Sequence, residues 1–430
     1  MLTQTHRIPG LVLHSYEFSL PLDYGNPNGE QIMVFARELV AAGKEDANLP
    51  MLVYFQGGPG SGAPRPTENT GWWQRALQEY RVLMLDQRGT GRSTPVLAQT
   101  LARFPTAEAQ ANYLKHFRAD NIVRDAEQIR HALLGEVTPW SVLGQSYGGF
   151  CVVRYLSSAP HGLREALITG GLPSLTRSAD DVYLATYQRV LQKNQRYYER
   201  YPDDVARVQT IVRYLQEHDV RLPDGAQLTP RRFQQLGLAF GASDGFETVH
   251  YLLEEAFVAG AGGPELGYPF LAHFAQAQNF ETNPIFAILH ESIYCQGTAA
   301  NWSAERLRAE FPMFEPDPSH RVLFTGEMIY PWMFTDYPQL QPMRAAAALL
   351  AAYTDWPQLY DLAQLRKNRV PCAAAVYYDD MYVERSYSEE TAREICGIKL
   401  WITNQYDHNG LRADGEAILN RLLALVHGQC

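Results

Sequence analysis

Over the first 170 residues, apolar positions alternate between short unbroken runs and a helical spacing. Residues 12–22 and 31–40 are extended and apolar-rich. They flank Tyr24-Gly25-Asn26-Pro27-Asn28-Gly29, a stretch dense in turn formers, which predicts a hairpin. Residues 50–55 and 81–85 are continuous apolar runs of the kind found in a sheet covered on both faces. Between them, 71–80 has helical spacing. Residues 120–134 place Ile122, Val123, Ala126, Ile129 and Leu133 on one helical face and Arg124, Asp125, Glu127 and Gln128 on the other. Val142-Leu143 then lead into Gly144-Gln145-Ser146-Tyr147-Gly148, and Gly149 to Val153 lead out. The pattern reads as strand, sharp turn, helix. Residues 165–169 are a further strand ending at Gly170-Gly171. Strand–helix alternation predicts an α/β fold with a mostly parallel sheet flanked by helices, whose ligands bind at the carboxyl ends of the strands.

Beyond residue 173 the β-type runs nearly vanish. Tyr- and Gln-rich helical segments replace them at 181–200, 204–217, 230–238, 247–258 and 305–311. Sheet character returns after a helix at 343–353, with strands at 370–378 and 398–403 and a closing helix at 414–427. The domain reading is therefore a core in two parts, 1–173 and 336–430, with a mainly helical cap domain, 174–335, inserted between them.

Composition narrows the possibilities. The 430 residues are 46% hydrophobic, enough for a sizeable core, and the net charge of −10 argues against nucleic acid as a partner. No run of 18 apolar residues occurs, so no membrane span is expected. The N-terminus lacks the basic-then-apolar order of a secretory signal. The five cysteines are scattered and form no C-x-x-C, which suits reduced core thiols in a cytoplasmic protein and neither disulfides nor zinc. Phosphate-loop, dinucleotide and H-E-x-x-H signatures are missing, so neither cofactor nor metal is expected.

What remains is serine chemistry. A G-x-S-x-G turn holds its serine in a strained conformation with the hydroxyl above the sheet. Ser146 needs a base to take its proton and an acid to orient that base, and in this architecture they follow in the order serine, acid, histidine. His408, just past the last strand, is the candidate base. Asp379 or Asp380, at the end of the strand before it, is the acid. The oxyanion of a tetrahedral intermediate needs N–H donors. Tyr147, after the serine, supplies one, and Gly58 in the Gly57-Gly58-Pro59-Gly60 turn supplies the other.

These motifs resemble one family. Gly57-Gly58-Pro59-Gly60, Asp86-Gln87-Arg88-Gly89-Thr90-Gly91-Arg92-Ser93 and Gly144-Gln145-Ser146-Tyr147-Gly148-Gly149 are similar, in order and spacing, to those of the prolyl aminopeptidases (proline iminopeptidases) of the α/β-hydrolase superfamily. Gln56 stands where that family usually has His. The resemblance implies the α/β-hydrolase fold, Asp380 as the acid, and removal of an N-terminal proline from peptides through an acyl-enzyme. It also implies glutamates from the cap region that hold the substrate amine. Glu291 and Glu327, both in aromatic settings, are the candidates, with Tyr330 and Trp332 among the aromatic residues lining a proline pocket. The expected partners are peptides with N-terminal proline, with no membrane or nucleic acid. Rival readings are an esterase or amidase, a broader aminopeptidase on the same scaffold, or a catalytically silent binding module.

Overall fold

The apolar runs at 50–55 and 81–85 pair as parallel strands at the centre of a sheet whose two faces are both covered. The computed structural model describes residues 1–278 and 280–429; Cys430, one of the five cysteines, lies outside them. Among the described residues the main sheet has nine strands: β1 (Leu2–Ile8), β2 (Leu11–Pro21), β3 (Gln31–Ala41), β4 (Met51–Phe55), β5 (Arg81–Leu85), β6 (Trp140–Gln145), β7 (Leu163–Thr169), β10 (Cys372–Tyr377) and β11 (Ile398–Thr403). Their order is β1-β2-β3-β5-β4-β6-β7-β10-β11. The first three are joined antiparallel and the rest run parallel from β5 to β11. A short hairpin, β8 (Phe257–Gly260) and β9 (Gly263–Leu266), stands apart from this sheet.

Alternation along each strand sorts its side chains between two cores. Leu52, Tyr54, Leu143, Ala373 and Tyr377 face the helices Gly71–Ala76 and Gly415–Val426. Val53, Phe55, Val142, Ile168 and Val376 face the opposite side, with the helices Ala119–Leu134 and Tyr147–Ser158. This second core continues without a break into the segment between β7 and β10. There the long helix Ala179–Arg200 packs against Phe240, Phe324 and Phe246 through Tyr197.

Several boundaries differ from the sequence pattern. β1 carries mostly exposed side chains and so leaves no apolar signature; it is held by its ladder to β2. The helix expected over 247–258 ends at Glu254, and Phe257–Gly260 turns into the β8–β9 hairpin. Gly260, Gly262 and Gly263 favour that turn over a helix, and Gly263 adopts φ +120°. The helix expected over 230–238 is α-helical only at Pro230–Gln234 and tightens into a 3₁₀ stretch at Gln235–Gly241. Cys151, Cys295 and Cys372 are buried thiols, but Cys396 is exposed rather than part of the core. No helix among the described residues is long and apolar enough to cross a membrane.

Candidate active site

Ser146 joins β6 to the helix Tyr147–Ser158 with φ 54° and ψ −125°. A non-glycine residue in such a region costs about 1–3 kcal/mol, so its surroundings must impose it. They do. The Ser146 N–H donates to the Thr169 carbonyl at 2.9 Å, and the Ser146 carbonyl accepts from Gly149 N–H at 2.7 Å. Close packing dictates the flanking glycine: a Cβ on Gly148 would run into the Phe55 carbonyl at the end of β4. The Gly57-Gly58 turn lies directly against the serine, since a Cβ on Gly57 would sit 2.9 Å from Ser146 Cβ. Gly58 itself has φ +138°, which only glycine adopts without strain. The Tyr147 ring is buried and its hydroxyl has no hydrogen-bond partner among the described residues. Its backbone N–H sits at the first position of the helix, where no intrahelical acceptor exists.

His408 follows β11. Its backbone N–H donates to the Gly241 carbonyl at 3.1 Å, tying it to the helical segment, and its Nδ1 lies 2.6 Å from Asp380 Oδ2. Asp380 Oδ1 accepts the N–H groups of Tyr382 at 2.8 Å and Val383 at 3.1 Å, so both carboxylate oxygens are held. Asp380 and His408 are both buried. Asp379 turns away: its carboxylate meets Arg196 at 2.8 Å, and the hydrogen bond from that guanidinium draws its pKa down. Burial disfavours the His408 imidazolium, but Asp380, with Glu327 and Asp407 behind it, more than offsets this. The pKa is raised above the ordinary 6.5. The ring lies against the elbow: a Cβ on Gly170 would be 3.2 Å from His408 Nδ1, and the adjoining Gly171 abuts the Ser146 carbonyl.

The two glutamates have different surroundings. Both oxygens of Glu291 accept backbone N–H groups, from Ser303 and Ala304, each at 3.0 Å. Glu291 thus caps the short helix Ser303–Leu307. Burial pushes its pKa up to about 7, against the pull of those two N–H donors. Glu327 is 13% exposed; its Oε2 lies 3.4 Å from His290 Nε2, and no Lys or Arg pairs with it among the described residues. His290 is buried and its Nδ1 contacts the Tyr183 hydroxyl at 2.9 Å. Tyr330 and Trp332 stack on each other at 5.6 Å, and the Tyr330 hydroxyl, fully buried, is 3.2 Å from that of Tyr187.

The structure therefore brings Ser146, the Gly57-Gly58 turn, Asp380 and His408 together and puts Glu327 within electrostatic reach of His408. Glu291, Tyr330 and Trp332 are bound into the packing of the helical segment. Sequence reasoning passed over His290, although it precedes Glu291 directly. It also passed over Tyr382, whose ring meets His408 edge-on at 4.7 Å and whose hydroxyl donates to the Leu238 carbonyl. Tyr382 carries no motif; only the fold places it.

Residues 50–250 match the family model described as alpha/beta hydrolase fold. The chain is 52% identical over 419 residues to a proline iminopeptidase of Aeromonas sobria, covering 97% of each chain. It is 36% identical over 429 residues to a proline iminopeptidase of Aspergillus aculeatus, covering 98% of this chain and 95% of that one. The chain belongs to the proline iminopeptidase family of α/β hydrolases. A solved structure of a proline iminopeptidase from Mycobacterium smegmatis is also similar, at 13% identity and a TM-score of 0.45, covering 96% of this chain and 98% of that one. In this proline iminopeptidase family member, Gln56 occupies the position before the Gly-Gly-Pro-Gly turn. Its carbonyl accepts from Gln87 Nε2 at 3.0 Å and its Oε1 accepts the Tyr54 hydroxyl at 2.8 Å.

Proposed function

We propose that this chain is a serine exopeptidase that releases an N-terminal proline from peptides. Ser146 Oγ attacks the prolyl carbonyl carbon as His408 Nε2 takes its proton. Asp380 fixes the tautomer through Nδ1 and favours the imidazolium that forms. The N–H groups of Tyr147 and Gly58 receive the oxyanion. As the intermediate collapses, the C–N bond breaks and His408 hands its proton to the leaving nitrogen. Water, activated by the same histidine, then attacks the prolyl ester, releases proline and restores Ser146.

Substrate choice rests on one observation. Glu327 is a largely buried carboxylate close enough for its charge to raise the pKa of His408, yet no Lys or Arg among the described residues pairs with it. A buried carboxylate in that position favours a cation, and the secondary ammonium of an N-terminal proline supplies it. Glu291 stays a cap, both its oxygens engaged by the N–H groups of Ser303 and Ala304. The agreement with the Aeromonas and Aspergillus relatives, both proline iminopeptidases, supports the same reading.

The test compares proline anilide with N-acetylproline anilide. The reading requires efficient cleavage of the first and a loss of at least a hundredfold in kcat/KM on the second, because acetylation removes the charge that Glu327 would pair. Similar turnover of both would make the chain an esterase or amidase without an amine requirement. A protein that turns over neither and resists a serine-directed phosphonate would be a binding module.

A further inference from the structure

A pocket of about 520 Å³ opens on the other flank of His408 and is assigned no part in holding the prolyl residue. Its inner wall is His408, Gln145 and Gln56, and its outer wall is Trp72 and Trp73 from the helix Gly71–Ala76, with Tyr54 beneath. The Tyr54 and Trp72 rings pack at 4.6 Å, and Trp72 meets Trp73 edge-on at 5.7 Å. Trp73 is only half-buried, and its Nε1 is anchored to the Glu68 carbonyl at 3.1 Å, so its orientation is set before anything binds. The Tyr54 hydroxyl occupies Gln56 Oε1, so the Gln56 amide N–H groups have no protein acceptor among the described residues.

The chemistry of the proposed reaction says what should lie there. His408 gives its proton to the scissile nitrogen, so the chain attached to that nitrogen extends on the His408 side of Ser146. The substrate amine is drawn to Glu327, which does not line this pocket. We infer that this pocket is the leaving-peptide subsite, which receives the residue that follows the N-terminal proline and favours an aromatic or large apolar side chain there. The rings of Trp72 and Trp73 supply a rigid apolar wall at small entropic cost, and the Gln56 amide donates to a backbone carbonyl of the leaving peptide. Arg412 marks the outer rim. It is exposed and paired with the equally exposed Asp244 at 3.1 Å, which leaves the opening accessible.

This inference rests on the proposed peptidase reading, and its test separates the two. The leaving group of prolinamide is ammonia, which cannot fill the pocket; that of Pro-Phe-amide is phenylalaninamide, which does. The prolyl-enzyme formed from the two substrates is the same, so the ratio of their kcat/KM values reports acylation alone. The ratio should favour Pro-Phe-amide over prolinamide in the parent and fall about tenfold in Trp73→Ala. It should be largely retained in Trp73→Phe. Trp73→Leu keeps the apolar bulk and serves as the test if the alanine variant does not fold; there the ratio should fall severalfold. An unchanged ratio in a folded Trp73→Ala or Trp73→Leu variant would overturn the subsite. Failure of the parent to cleave either substrate would instead overturn the peptidase reading beneath it.

Discussion

Lys193 grips Asp407, the residue next to His408, at 2.5 Å, with its own ammonium almost wholly buried. The same helix, Ala179–Arg200, holds Asp379, next to Asp380, through Arg196 at 2.8 Å and Glu384 through Arg189 at 2.6 Å. Residues 189, 193 and 196 share one helical face. One helix of the segment between β7 and β10 thus clamps both loops that carry Asp380 and His408, the proposed acid and base. Removing Lys193 leaves the Asp407 carboxylate unneutralised beside His408 and favours the imidazolium. In Lys193→Met the acid limb of the kcat/KM profile should move to higher pH by about 0.5 units, and urea unfolding should show a loss of about 2 kcal/mol, less than a fully buried pair would give. Lys193→Arg should restore both.

Glu327 acts on His408 in the same sense. Since its charge contributes to raising the histidine pKa, Glu327→Gln should lower that pKa. The acid limb measured with an uncharged ester substrate should shift to lower pH by about half a unit. With proline anilide the same variant should lose about a hundredfold in kcat/KM, which is the loss of the ammonium partner. Equal losses on ester and anilide would remove Glu327 from amine recognition.

Ser146, the proposed nucleophile, is held in a strained backbone conformation. Ser146→Ala should reduce turnover by at least about ten-thousandfold with stability unchanged, because alanine suffers the same φ of 54°. Ser146→Gly should be equally inactive but more stable than Ser146→Ala by about 1 kcal/mol, because glycine adopts that backbone conformation freely. Calorimetry of the two variants checks the difference.

Glu291 links stability to pH. Its pKa is about 7 in the fold, against 4.5 for an ordinary glutamate. Between those values the folded chain binds more protons at this site than the unfolded chain does, so stability should fall as pH rises from about 4.5 to about 7. The contribution should be on the order of 2 kcal/mol, read from urea unfolding at a series of pH values. Glu291→Gln should abolish that part of the slope. It should also cost stability at low pH, because a carboxamide offers one acceptor where Ser303 and Ala304 present two donors.

Much of this protein was written in its sequence. The central strands β4, β5 and β10 are short, almost wholly apolar runs because both their faces are covered, and that pattern needs no knowledge of partners. The three glycine-rich motifs declared themselves because backbones approach one another there so closely that a side chain is excluded, as at Gly148 against Phe55. β1 stayed hidden because its side chains face solvent and only its backbone is satisfied by β2.

The choice between the two adjacent carboxylates was not legible in the residues alone. Asp379 and Asp380 are chemically identical neighbours in the turn after β10. One meets Arg196 and the other His408 only because helix Ala179–Arg200 and the loop after β11 are brought to that turn by the fold. The same holds for Glu291 and Glu327, which look alike in sequence. Their surroundings separate them: two backbone N–H groups claim one, and no lysine or arginine among the described residues pairs with the other. Sequence by itself determined the strained serine turn, the parallel part of the sheet and the order in which the candidate serine, acid and histidine follow, because local backbone sterics and side-chain periodicity are carried by neighbouring residues. Tertiary structure alone decided which charges act on His408, because electrostatics acts between residues the chain brings together from far apart.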